Sequence, residues 1–146
     1  MTKIYVSCVI AAPAERVWQQ IRDFNALPNW HPGVAKSRIE KALAADKIGC
    51  VRNFQTKDGG EIREQLLTLS DFDYTCTYAI LESPMALTNY IATLKLTPVT
   101  DGNRTFAEWR AEFDCDEHDE ATLSRLIGEG VFQKGFDALK RRFGNA

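Results

Sequence analysis

LSRLIGEGVFQKGFDALKRRF, residues 123–143, decides how the chain folds. Its apolar residues recur at helical spacing, but on two faces. Leu123, Leu126, Ile127 and Val131 make one; Phe132, Phe136, Leu139 and Phe143 make another, roughly opposite. A surface helix needs a single apolar stripe, so two faces imply a helix covered on both sides, by a curved sheet and by loops or a partner chain. Gly128, Gly130 and Gly135 each weaken a helix by about 1 kcal/mol. Close backbone packing and clearance for a ligand both explain them. Acidic residues between Asp114 and Glu120 open the segment and Lys140-Arg141-Arg142 close it, as the helix dipole favours.

Working outward, the 80 or so residues before this helix have a β texture. Strands are expected at 34–41, 49–55, 61–69, 73–81, 90–99 and 105–114. Turn signals separate them: Lys57-Asp58-Gly59-Gly60, Ser70-Asp71, Ser83-Pro84 and Thr100-Asp101-Gly102-Asn103. Hairpin spacing makes this an antiparallel meander. Further upstream, Ile4, Val6, Cys8 and Ile10 alternate as a first strand. Pro13 sits well at the first position of a helix over 13–23, whose apolar side is Val17, Ile21 and Phe24, widened by Trp18. A short second helix over 24–30 and a turn at Trp30-His31-Pro32-Gly33 follow. The expected fold is therefore α+β: a curved, antiparallel, seven-stranded sheet around a long C-terminal helix, with two short helices after the first strand. A bent sheet cannot lie flush along a straight helix, so such a fold tends to hold a pocket.

The bulk numbers agree with one domain over residues 1–146. Apolar residues are 45% and charged residues 26%, with a formal net charge of −2 and no block of like charge. Nucleic-acid binding needs a basic face, which is missing. No apolar run approaches the roughly 20 residues of a membrane span, and no signal peptide is visible. Cys8, Cys50, Cys76 and Cys115 are far apart, so reduced thiols in a cytoplasm are the expectation. Two isolated histidines and no Cys cluster supply no metal site, and no cofactor fingerprint appears.

Alternation assigns the faces. Tyr90, Ala92, Leu94 and Leu96 turn inward, as do Thr105, Ala107, Trp109, Ala111 and Phe113, and Tyr74, Cys76, Tyr78 and Ile80 share a face. Tyr78 and Tyr90 are notable because a buried hydroxyl wants a partner. Counting outward from Asp58-Gly59 sets Arg52 nearly opposite Glu64, with Phe54 on the face of Arg52 and Ile62 and Leu66 on that of Glu64. If the apolar neighbours point inward, the charged pair does too; otherwise it is an ordinary exposed pair. His31, beside Trp30, is either structural or a proton carrier near that pair.

These motifs, in this order, resemble the START-like, birch-pollen-allergen-like superfamily, and within it the polyketide cyclase/dehydrase and lipid transport group. The likeness runs through residues 11–18, the region from Phe24 to Trp30-His31-Pro32, residues 48–52, 62–66, 78–81 and 89–99, and ends in residues 107–113. It implies a helix-grip fold with an internal cavity. A narrower likeness is to the plant abscisic-acid receptors. Gly49-Cys50-Val51-Arg52 and Glu64-Gln65-Leu66 resemble the strands flanking their gate, and Leu87-Thr88-Asn89-Tyr90 their latch. Residues 55–60 and 83–89 would then rim the pocket mouth. The gate's Ser-Gly-Leu-Pro-Ala is replaced here by Thr56-Lys57-Asp58-Gly59-Gly60, and His31 stands where the receptors grip their ligand with lysine. That departs from a hormone-receptor role. By this resemblance Arg52, Glu64, Tyr90 and His31 are pocket residues.

The function expected is binding of a small hydrophobic or amphipathic ligand (a lipid, aromatic or polyketide-like molecule) by a carrier or sensor. Trp30, His31, Arg52, Phe54, Glu64, Tyr78, Tyr90, Trp109, Phe132 and Phe136 are the expected ligand-binding residues. The alternative is a cyclase- or dehydratase-like enzyme, with Glu64 or His31 moving protons and Arg52 holding an anion. A third reading uses the second helix face as an interface, for instance in a homodimer.

Overall fold

The computed structural model describes residues 1–144. Seven strands form one antiparallel sheet: β1 (Thr2–Ile10), β2 (Val34–Ile39), β3 (Val51–Thr56), β4 (Glu61–Ser70), β5 (Thr75–Glu82), β6 (Thr88–Val99) and β7 (Arg104–Asp114). Their order is β1-β7-β6-β5-β4-β3-β2, so β1 and β2 are the two edges. The strands from β3 to β7 join their neighbours through short turns, and β2 reaches the adjacent β3 through residues 40–50. The exception is the link from β1 to β2, which must travel from one edge to the other. Helices α1 (Ala14–Ile21) and α2 (Leu27–Trp30) make that crossing. Register shifts at Val34/Lys36, Arg63/Glu64, Leu66/Thr68 and Thr88/Ile91 interrupt the ladders. Such irregularities bend and twist strands, and they suit a sheet that curls around a helix.

Pro13 precedes α1 in an extended conformation, and the helix buries Val17, Trp18 and Ile21. It is pinned from outside as well. Trp18 Nε1 donates to Asp71 Oδ1 at 2.7 Å, and Arg22 makes a two-pronged bond to the same carboxylate at 2.8 and 3.0 Å. Three strand ends differ from expectation for local reasons. β2 stops at Ile39 because Lys41 and Ala42 adopt positive φ. β3 starts at Val51, after Gly49 turns the chain with φ of +94°. β5 starts at Thr75, because Tyr74 has a positive φ that closes the β4–β5 turn. Inner faces follow the alternation: Tyr90, Ala92, Leu94 and Leu96 on β6 and the five expected residues of β7 are all buried.

The C-terminal helix corrects the two-face reading. It consists of α3 (Glu120–Ile127), a wider π-type stretch over Gly128–Gln133, and α4 (Lys134–Phe143). In the stretch, the Lys134 N–H reaches back five residues to the Glu129 carbonyl. One π turn advances five residues where an α turn advances four. Ile127 and Phe132 therefore fall on the same side, and Leu123, Ile127, Phe132, Phe136 and Leu139 form a single stripe, 6% exposed or less throughout. Leu126 and Val131 fall off this stripe and border the open space beside the helix, Leu126 being 47% exposed. Gly135 is the close-packing case. A Cβ there would stand 2.9 Å from His31 Cδ2 and 3.0 Å from Trp109 Cζ3. No helix among the described residues is long and apolar enough to cross a membrane.

Candidate functional site

A cavity of about 380 Å³ opens between the sheet and the C-terminal helix. Pockets for small organic ligands run from about 300 to 1,000 Å³, so it suits a small one. Strands β3 to β7 supply the inner wall through Arg52, Phe54, Ile62, Glu64, Tyr78, Ile80, Tyr90 and Trp109. Leu126, Ile127, Gly130, Val131 and Lys134 on the helix face them, and Leu27, His31 and Val34 close one side. The mouth is ringed by exposed Lys57, Asp58, Leu126 and Lys134.

Arg52 and Glu64 are direct cross-strand partners on β3 and β4. Both are buried, at 7% and 6% exposure. Arg52 Nε and Nη2 converge on one oxygen, Glu64 Oε1, at 2.8 and 2.6 Å. Nη1 donates to the Phe24 carbonyl at 3.2 Å. The guanidinium lies 4.0 Å from the Phe24 ring centre and 4.8 Å from that of Tyr78. Its edge and its faces are thus engaged by the protein. Glu64 Oε2 is different: it has no hydrogen-bond partner among the described residues. No buried side-chain polar atom among those residues lacks one. Oε2 is therefore not sealed in, and the space Glu64 borders is the cavity.

Burial raises the Glu64 carboxyl above the ordinary carboxylate range, with Arg52 pulling the other way. For Arg52, burial opposes the charge, but the adjacent Glu64 outweighs it and holds the guanidinium above its ordinary value. The two tyrosines stay neutral. Burial raises Tyr78 and Tyr90 alike, and Glu64 adds to both. Tyr78 Oη accepts from Trp109 Nε1 at 3.0 Å, which leaves its own proton to donate. Burial pushes the Cys76 thiol up to about 11, so it is no nucleophile.

His31 lines the cavity, yet both ring nitrogens are taken. The Gly33 N–H donates to Nδ1 at 3.0 Å, so Nδ1 is unprotonated. Nε2 lies 2.7 Å from the Val131 carbonyl and must carry the proton it donates. This fixes one neutral tautomer, and burial lowers the tendency to gain a second proton. The ring ties the turn after α2 to the π stretch of the C-terminal helix. The Val131 carbonyl also accepts from the Lys134 N–H and gives its second lone pair to the ring.

Of the other expected residues, Phe54, Tyr78, Tyr90 and Trp109 border the cavity. Trp30, Phe132 and Phe136 do not: they are core behind it. The Phe132 ring stacks on Trp109 with centroids 4.5 Å apart, and Trp30 and Phe136 pack on the same indole at 5.9 and 5.7 Å. Sequence reasoning did not assign Leu27, Leu126, Val131 or Lys134 to the pocket. Met85, in the turn after β5, falls within the expected rim segment 83–89 and lines the cavity. The rim loops differ in their anchoring. In the β3–β4 turn the Lys57 N–H donates to the Gly33 carbonyl at 3.0 Å, and Thr56, Asp58 and Gly60 bond among themselves. The other turn carries two internal bonds, Met85 N–H to Ser83 Oγ at 3.1 Å and Leu87 N–H to the Met85 carbonyl at 2.9 Å, and none to the segment after α2.

Among the described residues, one cluster has the spacing for a metal ion, the largely exposed Asp116, His118 and Asp119. It lies ahead of α3 and lines no part of the cavity, and exposed acidic groups of this kind are common without an ion.

The family described as polyketide cyclase/dehydrase and lipid transport matches residues 1–144. No curated protein matches the sequence. Among solved structures, a Thermobifida fusca protein is 30% identical, with a TM-score of 0.90 over 100% of this chain and 98% of that one. The XoxI protein of Bacillus cereus is also 30% identical, with a TM-score of 0.88 over 98% and 96%. Norcoclaurine synthase of Thalictrum flavum, solved with dopamine and hydroxybenzaldehyde, shares the fold at 18% identity and a TM-score of 0.76, over 97% of this chain and 85% of that one.

Proposed function

Because the chain belongs to the polyketide cyclase/dehydrase and lipid transport family, we propose that it is a single ligand-binding domain that takes a small hydrophobic or amphipathic molecule into its cavity, as a carrier or sensor. One observation carries this reading. The cavity between sheet and helix is walled mainly by apolar side chains, and a buried ion pair stands on its wall with one carboxylate oxygen unused. Apolar walls give affinity, and a few polar groups fix orientation. The ligand enters between the β3–β4 turn and the turn after β5, whose Gly60 and Pro84 lie side by side at the mouth. The same segments resemble the gate and rim of the abscisic-acid receptors, and the more weakly anchored one, around Met85, is the part that moves.

The enzyme reading rests on Glu64 alone. Its raised carboxyl and open Oε2 suit a general base. His31 is not its partner in proton transfer, since both nitrogens are committed to backbone groups.

A thermal-shift and native mass-spectrometry screen against a broad library of lipids, aromatic acids, phenols and polyketide-like compounds tests the reading. Micromolar binding by some class of hydrophobic compound is expected. Failure to bind any member of such a library contradicts it.

A further inference from the structure

We infer that the cavity selects an uncharged aromatic ligand carrying a hydroxyl, held by a hydrogen bond from that hydroxyl to Glu64 Oε2, and discriminates against both carboxylates and ammonium cations. The inference rests on the cavity being a ligand site at all. It departs from the expectation that a buried arginine marks an anion site, and the reason is how Arg52 is used.

An incoming carboxylate needs a guanidinium with a free edge, because bidentate pairing uses two parallel N–H donors. The Nε/Nη2 edge of Arg52 is already spent on Glu64 Oε1, and Nη1 is bonded to the Phe24 carbonyl. Phe24 and Tyr78 flank its faces. A ligand anion would also meet the Glu64 charge. Three of the five Arg52 N–H donors are used in this way, and beside the Tyr78 and Tyr90 hydroxyls the pair offers the cavity an acceptor, Oε2, which calls for a donor.

A donor that is itself a cation fares no better. The Arg52–Glu64 pair has no net charge, so an ammonium entering beside it meets a cation as near as the anion. Taking a charge out of water without net compensation is strongly unfavourable. A neutral hydroxyl avoids that cost and still makes a charge-assisted bond to a carboxylate. Tyr78 and Tyr90 add the complementary group: Tyr78 Oη accepts from Trp109 and the two hydroxyls pair with each other, which leaves one hydroxyl proton of the pair for the ligand oxygen. Aromatic character follows from the wall, where Phe54, Tyr78, Tyr90 and Trp109 present rings to a cavity of about 380 Å³.

Calorimetric titration of the whole chain at pH 7 with four naphthalenes of one shape tests this: naphthalene, 2-naphthol, 2-naphthoic acid and 2-naphthylmethylamine. The expected order places 2-naphthol first, about tenfold or more tighter than naphthalene, as one charge-assisted bond implies, with the acid and the amine weaker than 2-naphthol. The double variant Arg52→Met/Glu64→Leu should still bind naphthalene and lose the preference for 2-naphthol. The acid or the amine binding tightest overturns the inference and leaves the cavity reading standing. Equal binding of all four also overturns it, as does a preference for 2-naphthol that survives in the double variant. If none of the four binds, the inference fails, and the cavity reading fails with it if the wider library is also silent.

Discussion

Arg63 and Glu64 are neighbours on β4, and each belongs to an arginine–carboxylate pair, yet the two pairs live in different solvents. Glu64 points into the molecule and meets Arg52 beside the cavity. Arg63 points out and bridges Glu40, through Nε at 2.6 Å and Nη2 at 2.9 Å, and Glu82 at 3.1 Å. The same chemistry is perturbed in opposite directions. On the outer face the Arg63 bond, aided by Asn53, pulls the Glu40 carboxyl down to about 2. On the inner face burial wins over Arg52, and Glu64 is raised. Side chains alternate across a strand, so one step along the backbone carries a carboxylate from a site that favours its charge to one that resists it. An outer pair is a modest stabiliser. An inner pair is costly to keep, which is a reason to look for its use.

The comparison can be broken most sharply at Glu64. Glu64→Ala leaves Arg52 buried without its counter-ion and should cost about 3–5 kcal/mol in urea unfolding. A loss under about 1 kcal/mol would mean that water or a rearranged chain already compensates Arg52. Next in size is the double variant Arg52→Met/Glu64→Leu. Replacing a buried pair by apolar groups is often neutral or stabilising by about 1–4 kcal/mol, so its urea midpoint should match or exceed that of the wild type; a midpoint near that of Glu64→Ala would show the pair to be a net stabiliser. Arg63→Ala, on the other face, should cost far less than Glu64→Ala and lose part of that difference at high salt. A cost as large as that of Glu64→Ala would erase the distinction between the faces.

The smallest effect expected is in pH dependence, and it has opposite signs on the two faces. Glu40 is depressed, so its contribution is present above the ordinary carboxylate value of 4.5 and is lost as pH falls through about 2. Glu64 is raised, so its contribution is fullest below the unfolded value and is lost as pH rises through the folded one. In acid-to-neutral unfolding series, Glu40→Gln should therefore fall behind the wild type as pH rises. The double variant at Arg52 and Glu64 should gain on it over the same range. Parallel curves for both would contradict the assigned directions.

Strand faces and the Arg52–Glu64 pairing were legible because both follow from a period of two counted from a recognisable turn. Trp109 and Phe113 sit inward for the same reason. The C-terminal helix was half legible. A π turn adds a residue without any composition change, so a fit to the α period splits one stripe into two. His31 was misleading in a different way. Its nitrogens are fixed by Gly33 and by a carbonyl 100 residues away, and no local pattern encodes the second bond. Nor could sequence separate Tyr90, which borders the cavity, from Phe132 and Phe136, which pack behind it. All three are buried aromatics, and which of them meets empty space depends on the volumes of their neighbours.

The central claim is that a ligand sits inside the sheet, against the Arg52–Glu64 pair. Titrating 2-naphthol into ¹⁵N-labelled protein and following the Arg52 Nε–H and Trp109 Nε1–H resonances tests it most directly. The account expects both to shift in step with the amides around Tyr78 and Tyr90, saturating with a single affinity. Shifts confined to the outer face, around Lys36, Arg38 and Gln55, with Arg52 and Trp109 unmoved, would contradict it.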